Sequence, residues 1–127
     1  MTQKVSSASP WEDILGYSRA IRVGNIIEVA GTTAADGEKV ISKGNVYGQT
    51  VFIFKKIEGA LIEAGAGLGN VVRTRMFVTD ISAWEEIGKA HGEFFKAIKP
   101  AATMVEVRRL IDPDLLIEIE VTAIIDE

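Results

Sequence analysis

The chain has 127 residues, a formal net charge of −4, 47% hydrophobic and 25% charged residues, and no cysteine. This is the composition of one globular domain, residues 1–127; the acidic balance argues against nucleic acid as the main partner, because phosphate binders concentrate Lys and Arg. Without cysteine there are no disulfides and no thiolate or cysteine-metal chemistry, and no apolar run nears a signal-peptide core or the roughly 20 residues of a membrane span, so the expectation is a soluble cytoplasmic protein with no membrane partner.

Met1 to Leu15 is mixed and reads as an arm leading to the first strand near Gly16-Tyr17. Ser18–Val23 and Ile26–Ala30 flank Gly24-Asn25, a pair that tolerates positive φ and predicts a tight hairpin. Beyond Gly31 the chain is small and polar through Glu38, with Val40-Ile41 as a candidate edge strand, and reads as the likeliest mobile loop. Asn45 is placed to cap a helix whose stripe is Thr50, Phe54, Ile57, Leu61 and Ala64, stopped at Gly65-Ala66-Gly67. That glycine run follows a helix and leads into a strand, the reverse of a dinucleotide loop, so it reads as a helix stop.

Val71–Thr79 alternates, with Val72, Thr74, Met76 and Val78 against Arg73, Arg75, Phe77 and Thr79. Ser82-Ala83-Trp84-Glu85 has the form of a capping box opening a second helix, with Trp84, Ile87, His91, Phe94 or Phe95, and Ile98 on its apolar face, ending before Pro100. Two further strands follow, Lys99–Leu110 and Leu115–Ile124, joined by the turn residues Ile111-Asp112-Pro113-Asp114. In the last strand Ile117, Ile119 and Val121 oppose Glu118, Glu120 and Thr122. The result is a two-layer α+β domain, with two helices on one face of a mixed sheet. The other face is expected to hold Arg73, Arg75, Glu106, Arg108, Glu118 and Glu120 with Phe77 and Met104. Such a face is either solvated or covered by another copy of the chain.

Gly16-Tyr17, the hairpin closing at Gly31, Gln49, Val71-Val72-Arg73-Thr74 into Phe77-Val78-Thr79-Asp80, Phe94-Phe95, Pro100-Ala101, Val105-Glu106-Val107 and Ile117-Glu118-Ile119-Glu120 together resemble the Rid family, also called YjgF or L-PSP. The resemblance spans nearly the whole chain. It implies a chorismate-mutase-like fold, a homotrimer, and a small-molecule cleft at each subunit interface. It also implies hydrolysis of enamines and imines to 2-keto acids and ammonia, with no cofactor and no metal. A family arginine grips the substrate carboxylate, and a glutamate of the final strand holds or activates water.

Carried over by position, the resemblance implies Tyr17 as the pocket tyrosine, Gly31 as a backbone amide near the ligand, and Glu120 as the glutamate. The gripping arginine is replaced by Ala102, a serine by Ala30 and an asparagine by Gly88. Arg75, on the sheet face assigned to Ala102 and Glu120, is a candidate replacement anchor for an anionic ligand; the alternative is a structural ion pair with a glutamate. Glu120 is either a water-activating base or the acidic half of such a pair. His91, on an apolar stripe, reads as a packed imidazole. Three functions stay open: a hydrolase or deaminase of imines and enamines, a non-catalytic trimer that binds a metabolite or another protein, and an endoribonuclease.

Overall fold

The Gly24-Asn25 pair makes the predicted hairpin: β2 (Ala20–Val23) and β3 (Ile26–Thr33) pair antiparallel from Val23 opposite Ile26, with Gly24 at φ 59°. This computed structural model describes residues 1–126. β1 (Thr2–Val5) and the short α1 (Pro10–Leu15) precede the hairpin. β4 (Ala35–Asp36), β5 (Lys39–Val40), α2 (Val46–Glu63), β6 (Val71–Val78), α3 (Trp84–Phe95), β7 (Ala101–Glu106) and β8 (Ile117–Ile124) follow. The main sheet runs β1-β2-β3-β8-β6-β7, antiparallel throughout except for β6 and β7, which are parallel.

Helix α2 starts where Asn45 Oδ1 accepts the Gly48 amide at 2.9 Å, and its stripe of Thr50, Phe54, Ile57, Leu61 and the adjoining Ala64 is wholly buried. With Ile87 and Phe95 of α3 it packs on Ile27, Val29, Val78, Ile117, Ile119 and Val121 of the sheet. Each such side chain contributes about 1.5–3 kcal/mol on leaving water.

Five local expectations are corrected. The N-terminal arm is ordered as β1 and α1. Val5 enters the core and Gln3 Nε2 donates to the Glu63 carbonyl at 2.8 Å, so the segment is tied to the end of α2. Val40 pairs in a separate two-stranded ribbon, β4 with β5, and does not extend the main sheet. Val72 is exposed, because the register between β6 and β8 shifts between Val71 and Arg73 and puts Val71 in the core instead.

The capping box does not form. The Ser82 hydroxyl donates to Asp80 Oδ1 at 2.6 Å, a single 3₁₀ turn spans Ile81–Ala83, and Ala83 occupies the cap. That extra turn rotates Trp84 off the buried stripe, leaving it 57% exposed. Finally, β7 lies in register with Met104 beside Met76, Glu106 beside Val78 and Ala102 beside Thr74. These three residues are therefore on the helix side of the sheet, with Met104 packed against the core. Alternation alone did not reveal which set of an edge strand faces inward.

Candidate functional site

The strand registers lay out the face opposite the helices as rows. Lys4, Ile21, Glu28, Thr122, Arg73 and Ala101 are successive cross-strand neighbours from one edge of the sheet to the other. The next row along β8 sets Glu120 beside Arg75 and Arg75 beside Thr103, and the one after sets Thr33, Glu118, Phe77 and Val105 side by side. Charges of both signs thus share a surface with exposed apolar groups, Val105 being 42% exposed.

A cleft of about 530 Å³ opens in this face, lined by Lys4, Tyr17, Ile21, Glu28, Arg75 and Glu120 together with Ala30. Tyr17 is aimed there by the end of α1, where Gly16 takes φ 80° and the Tyr17 amide donates to the Glu12 carbonyl at 3.0 Å. Arg75 Nη1 lies 3.6 Å from Glu120 Oε1, with 43% and 38% of the two side chains exposed. Of the two alternatives for Arg75, this arrangement is the ion pair. Glu28 is engaged as well, its Oε1 accepting from the Thr122 hydroxyl at 2.5 Å.

Gly31 sits beside the cleft and does not line it. Its carbonyl accepts from Arg19 Nη2 at 2.8 Å, and a Cβ at this position would fall 2.3 Å from Glu118 Oε2. A side chain here would have to displace the flexible Glu118 carboxylate. Burial pushes the Glu118 carboxyl above its usual range; Arg19 offsets this and the Glu120 charge adds to it. Arg19 also lies 5.7 Å from the Tyr17 ring, and its buried Nε has no partner.

The structure therefore brings Tyr17, Arg75 and Glu120 into one cleft and leaves Gly31 on its shoulder. The expectation that Ala102 shares a sheet face with Arg75 and Glu120 is overturned by the β6–β7 register, which pairs Ala102 with Thr74. Ala102 and Gly88 are exposed away from the cleft. His91 is packed, as expected: Nε2 is 2.9 Å from Thr74 Oγ1, its ring is 4.9 Å from that of Phe95, and burial lowers its pKa. Among the described residues no group of three or more His, Cys, Asp or Glu converges as a metal site would, and no helix is long and apolar enough to cross a membrane.

Lys4, Arg19 and Glu28 were missed by sequence reasoning. The signal for Lys4 was its alternation with Gln3 and Val5, legible only once β1 is known to be a strand. Arg19 is visible only as the polar residue before the buried Ala20.

The sequence profile of the family described as endoribonuclease L-PSP matches residues 8–125. A RutC family protein of Pyrococcus abyssi is 41% identical over 108 residues, 84% of each chain, and an uncharacterized protein of Streptomyces coelicolor is 36% identical over 121 residues, 95% of this chain and 90% of its own. The crystal structure of a YjgF/YER057c/UK114 family member from Mycobacterium tuberculosis superposes with a TM-score of 0.89 at 46% identity, covering 98% of this chain and 100% of that one. TdcF of E. coli, solved with bound serine, shares the fold with a TM-score of 0.80 at 21% identity, covering 97% of this chain and 94% of that one.

Proposed function

The chain belongs to the endoribonuclease L-PSP family, also called Rid or YjgF, and from that premise we propose that it is a hydrolase of small imines or enamines, acting in clefts at the interfaces of a homotrimer. One observation carries this reading: Tyr17, Arg75 and Glu120, from three distant parts of the chain, line a single cleft of about 530 Å³, a volume suited to a small metabolite. Glu120 orients and deprotonates a water that adds to the imine carbon; the C–N bond then breaks, giving a carbonyl compound and ammonia. Arg75 holds Glu120 in place, Tyr17 supplies a hydroxyl to the ligand, and the Gly31 segment forms the shoulder against which it rests.

The trimer reading is supported by the rest of the same sheet face, away from the helices, where Phe77 and Val105 alternate with half-exposed charges. Two sister copies would cover these apolar groups and pair the charges. The fold is a chorismate-mutase-like α+β sheet in this reading, with one such cleft per subunit.

A second reading is favoured by one feature: Ala102 stands where the family resemblance expects the carboxylate-gripping arginine, and Arg75 is paired with Glu120. On that ground the same trimer is a metabolite-binding protein without turnover. Ammonia release from amino-acid imines generated in situ by an amino-acid oxidase separates the two. Acceleration over buffer that falls at least about a hundredfold in Glu120→Gln, at unchanged oligomeric mass, is the expected result. No acceleration, or full activity in Glu120→Gln, overturns the hydrolase.

A further inference from the structure

We infer that Arg19 is a positioning residue of the cleft: from behind its wall, it holds the bulge formed by Ala30 and Gly31 in a fixed place opposite Glu120. The inference rests on the proposed reading of Glu120 as the base that activates water. Between Val29 opposite Val121 and Thr32 opposite Ile119, β3 sets two residues, Ala30 and Gly31, against Glu120 alone. This is a β-bulge, which bends one strand and re-aims its residues. It lies where Tyr17, Ser18, Ala30 and Glu120 line the cleft, and Arg19 itself is not part of that lining.

A bulge disrupts the ladder and leaves backbone groups in need of other partners. The regular pairing of β2 with β3 stops short of it, at Ala20 opposite Val29. Arg19 takes over there. Its carbonyl accepts from the Ala30 amide at 2.9 Å and its Nη2 donates to the Gly31 carbonyl at 2.8 Å, so the main chain and side chain of one residue hold both residues of the bulge. Arg19 is anchored in turn: its amide donates to the Val5 carbonyl at 2.8 Å, and its guanidinium lies 5.7 Å from the centre of the Tyr17 ring. One side chain thus joins the Tyr17 wall to the Gly31 shoulder.

Two details set Arg19 apart from a residue kept for the fold. Its Nε is buried without a partner, which works against stability. On the Cβ side of Gly31, the Glu118 Oε2 stands 2.3 Å from the point where a side chain would begin, so the bulge is gripped by a cation at its carbonyl and faced by a carboxylate. With the Arg19 bond gone, the shoulder against which the ligand rests is free to shift relative to Glu120. A displacement of about 1 Å in such a wall slows attack by up to about a hundredfold while the base itself is untouched.

Arg19→Gln and Arg19→Lys, compared with the unsubstituted protein at equal oligomeric mass, test this by two independent readouts. Hydrogen exchange of the Ala30 amide, followed by NMR, is expected to quicken about tenfold in Arg19→Gln and to slow again in Arg19→Lys, which keeps a cationic donor. In ammonia release from amino-acid imines formed in situ, kcat is expected to fall about tenfold in Arg19→Gln with KM changed by less than about twofold, and to recover in Arg19→Lys. Unchanged exchange, quickened exchange with unchanged kcat, a loss carried by KM alone, or a loss that Arg19→Lys does not recover overturns the inference. Exchange that quickens in Arg19→Gln while the unsubstituted protein hydrolyses no imine removes the hydrolase and leaves Arg19 as the clasp of the bulge.

Discussion

The two faces of β8 differ in kind. Ile117, Ile119 and Val121, at most 1% exposed, lie under α2 and α3, while Glu118, Glu120 and Thr122 between them are half-exposed on the open side. One side is closed by its own helices and its requirements are volume and apolarity. The other is covered by no helix: it holds a cleft, an ion pair, a carboxylate pushed up by burial and exposed valine beside phenylalanine. The closed face carries the core of the fold, and the open one carries the cleft and the charges.

The sharpest break comes from the closed face. Phe54, fully buried against Phe95 at 5.1 Å, is expected to cost about 3–5 kcal/mol on Phe54→Ala, read as a shift in urea midpoint at unchanged m. On the open face the largest expected loss is at the crowded glycine. Gly31→Ala brings a methyl to 2.3 Å from Glu118 Oε2 unless that side chain turns away, for about 0.5–1.5 kcal/mol of displaced rotamer, and Glu118→Ala in the same chain is expected to restore most of it. Additive losses in the double variant would show that the contact is not the cause.

The faces also respond to pH with opposite signs. His91, whose pKa is lowered by burial from 6.5, contributes stability present above about 6.5 and lost as pH falls through its lowered folded value. Glu118, raised by burial from 4.5, contributes stability present below about 4.5 and lost as pH rises through its raised folded value. Thermal midpoints across this range are expected to lose their acid-side fall in His91→Phe and their rise toward acid in Glu118→Gln; identical profiles in all three proteins would contradict both assignments. The smallest effect belongs to the Arg75–Glu120 pair, half-exposed at 3.6 Å. A double-mutant cycle with Arg75→Gln and Glu120→Gln is expected to give about 0.2–1 kcal/mol, shrinking with salt.

The closed face was the legible one. The α2 stripe, the Asn45 cap, the Gly24-Asn25 hairpin and the inward set of β8 follow from periodicity, because one buried side imposes a regular pattern. Legibility failed where pattern is set by neighbours. The bulge that exposes Val72, the 3₁₀ turn that swings Trp84 outward and the register that turns Ala102 and Met104 toward the helices depend on partner strands and packing. Tyr17, Arg75 and Glu120 were found through family resemblance and strand alternation. Lys4 was not, since the N-terminal segment looks like an arm until β2 is there to pair with it.

The central claim is that the charged face of the sheet is a seam between copies of this chain, with its cleft completed there. Static light scattering at micromolar concentration measures this directly. The account predicts the mass of three 13.8-kDa chains, and a particle of one chain would contradict it.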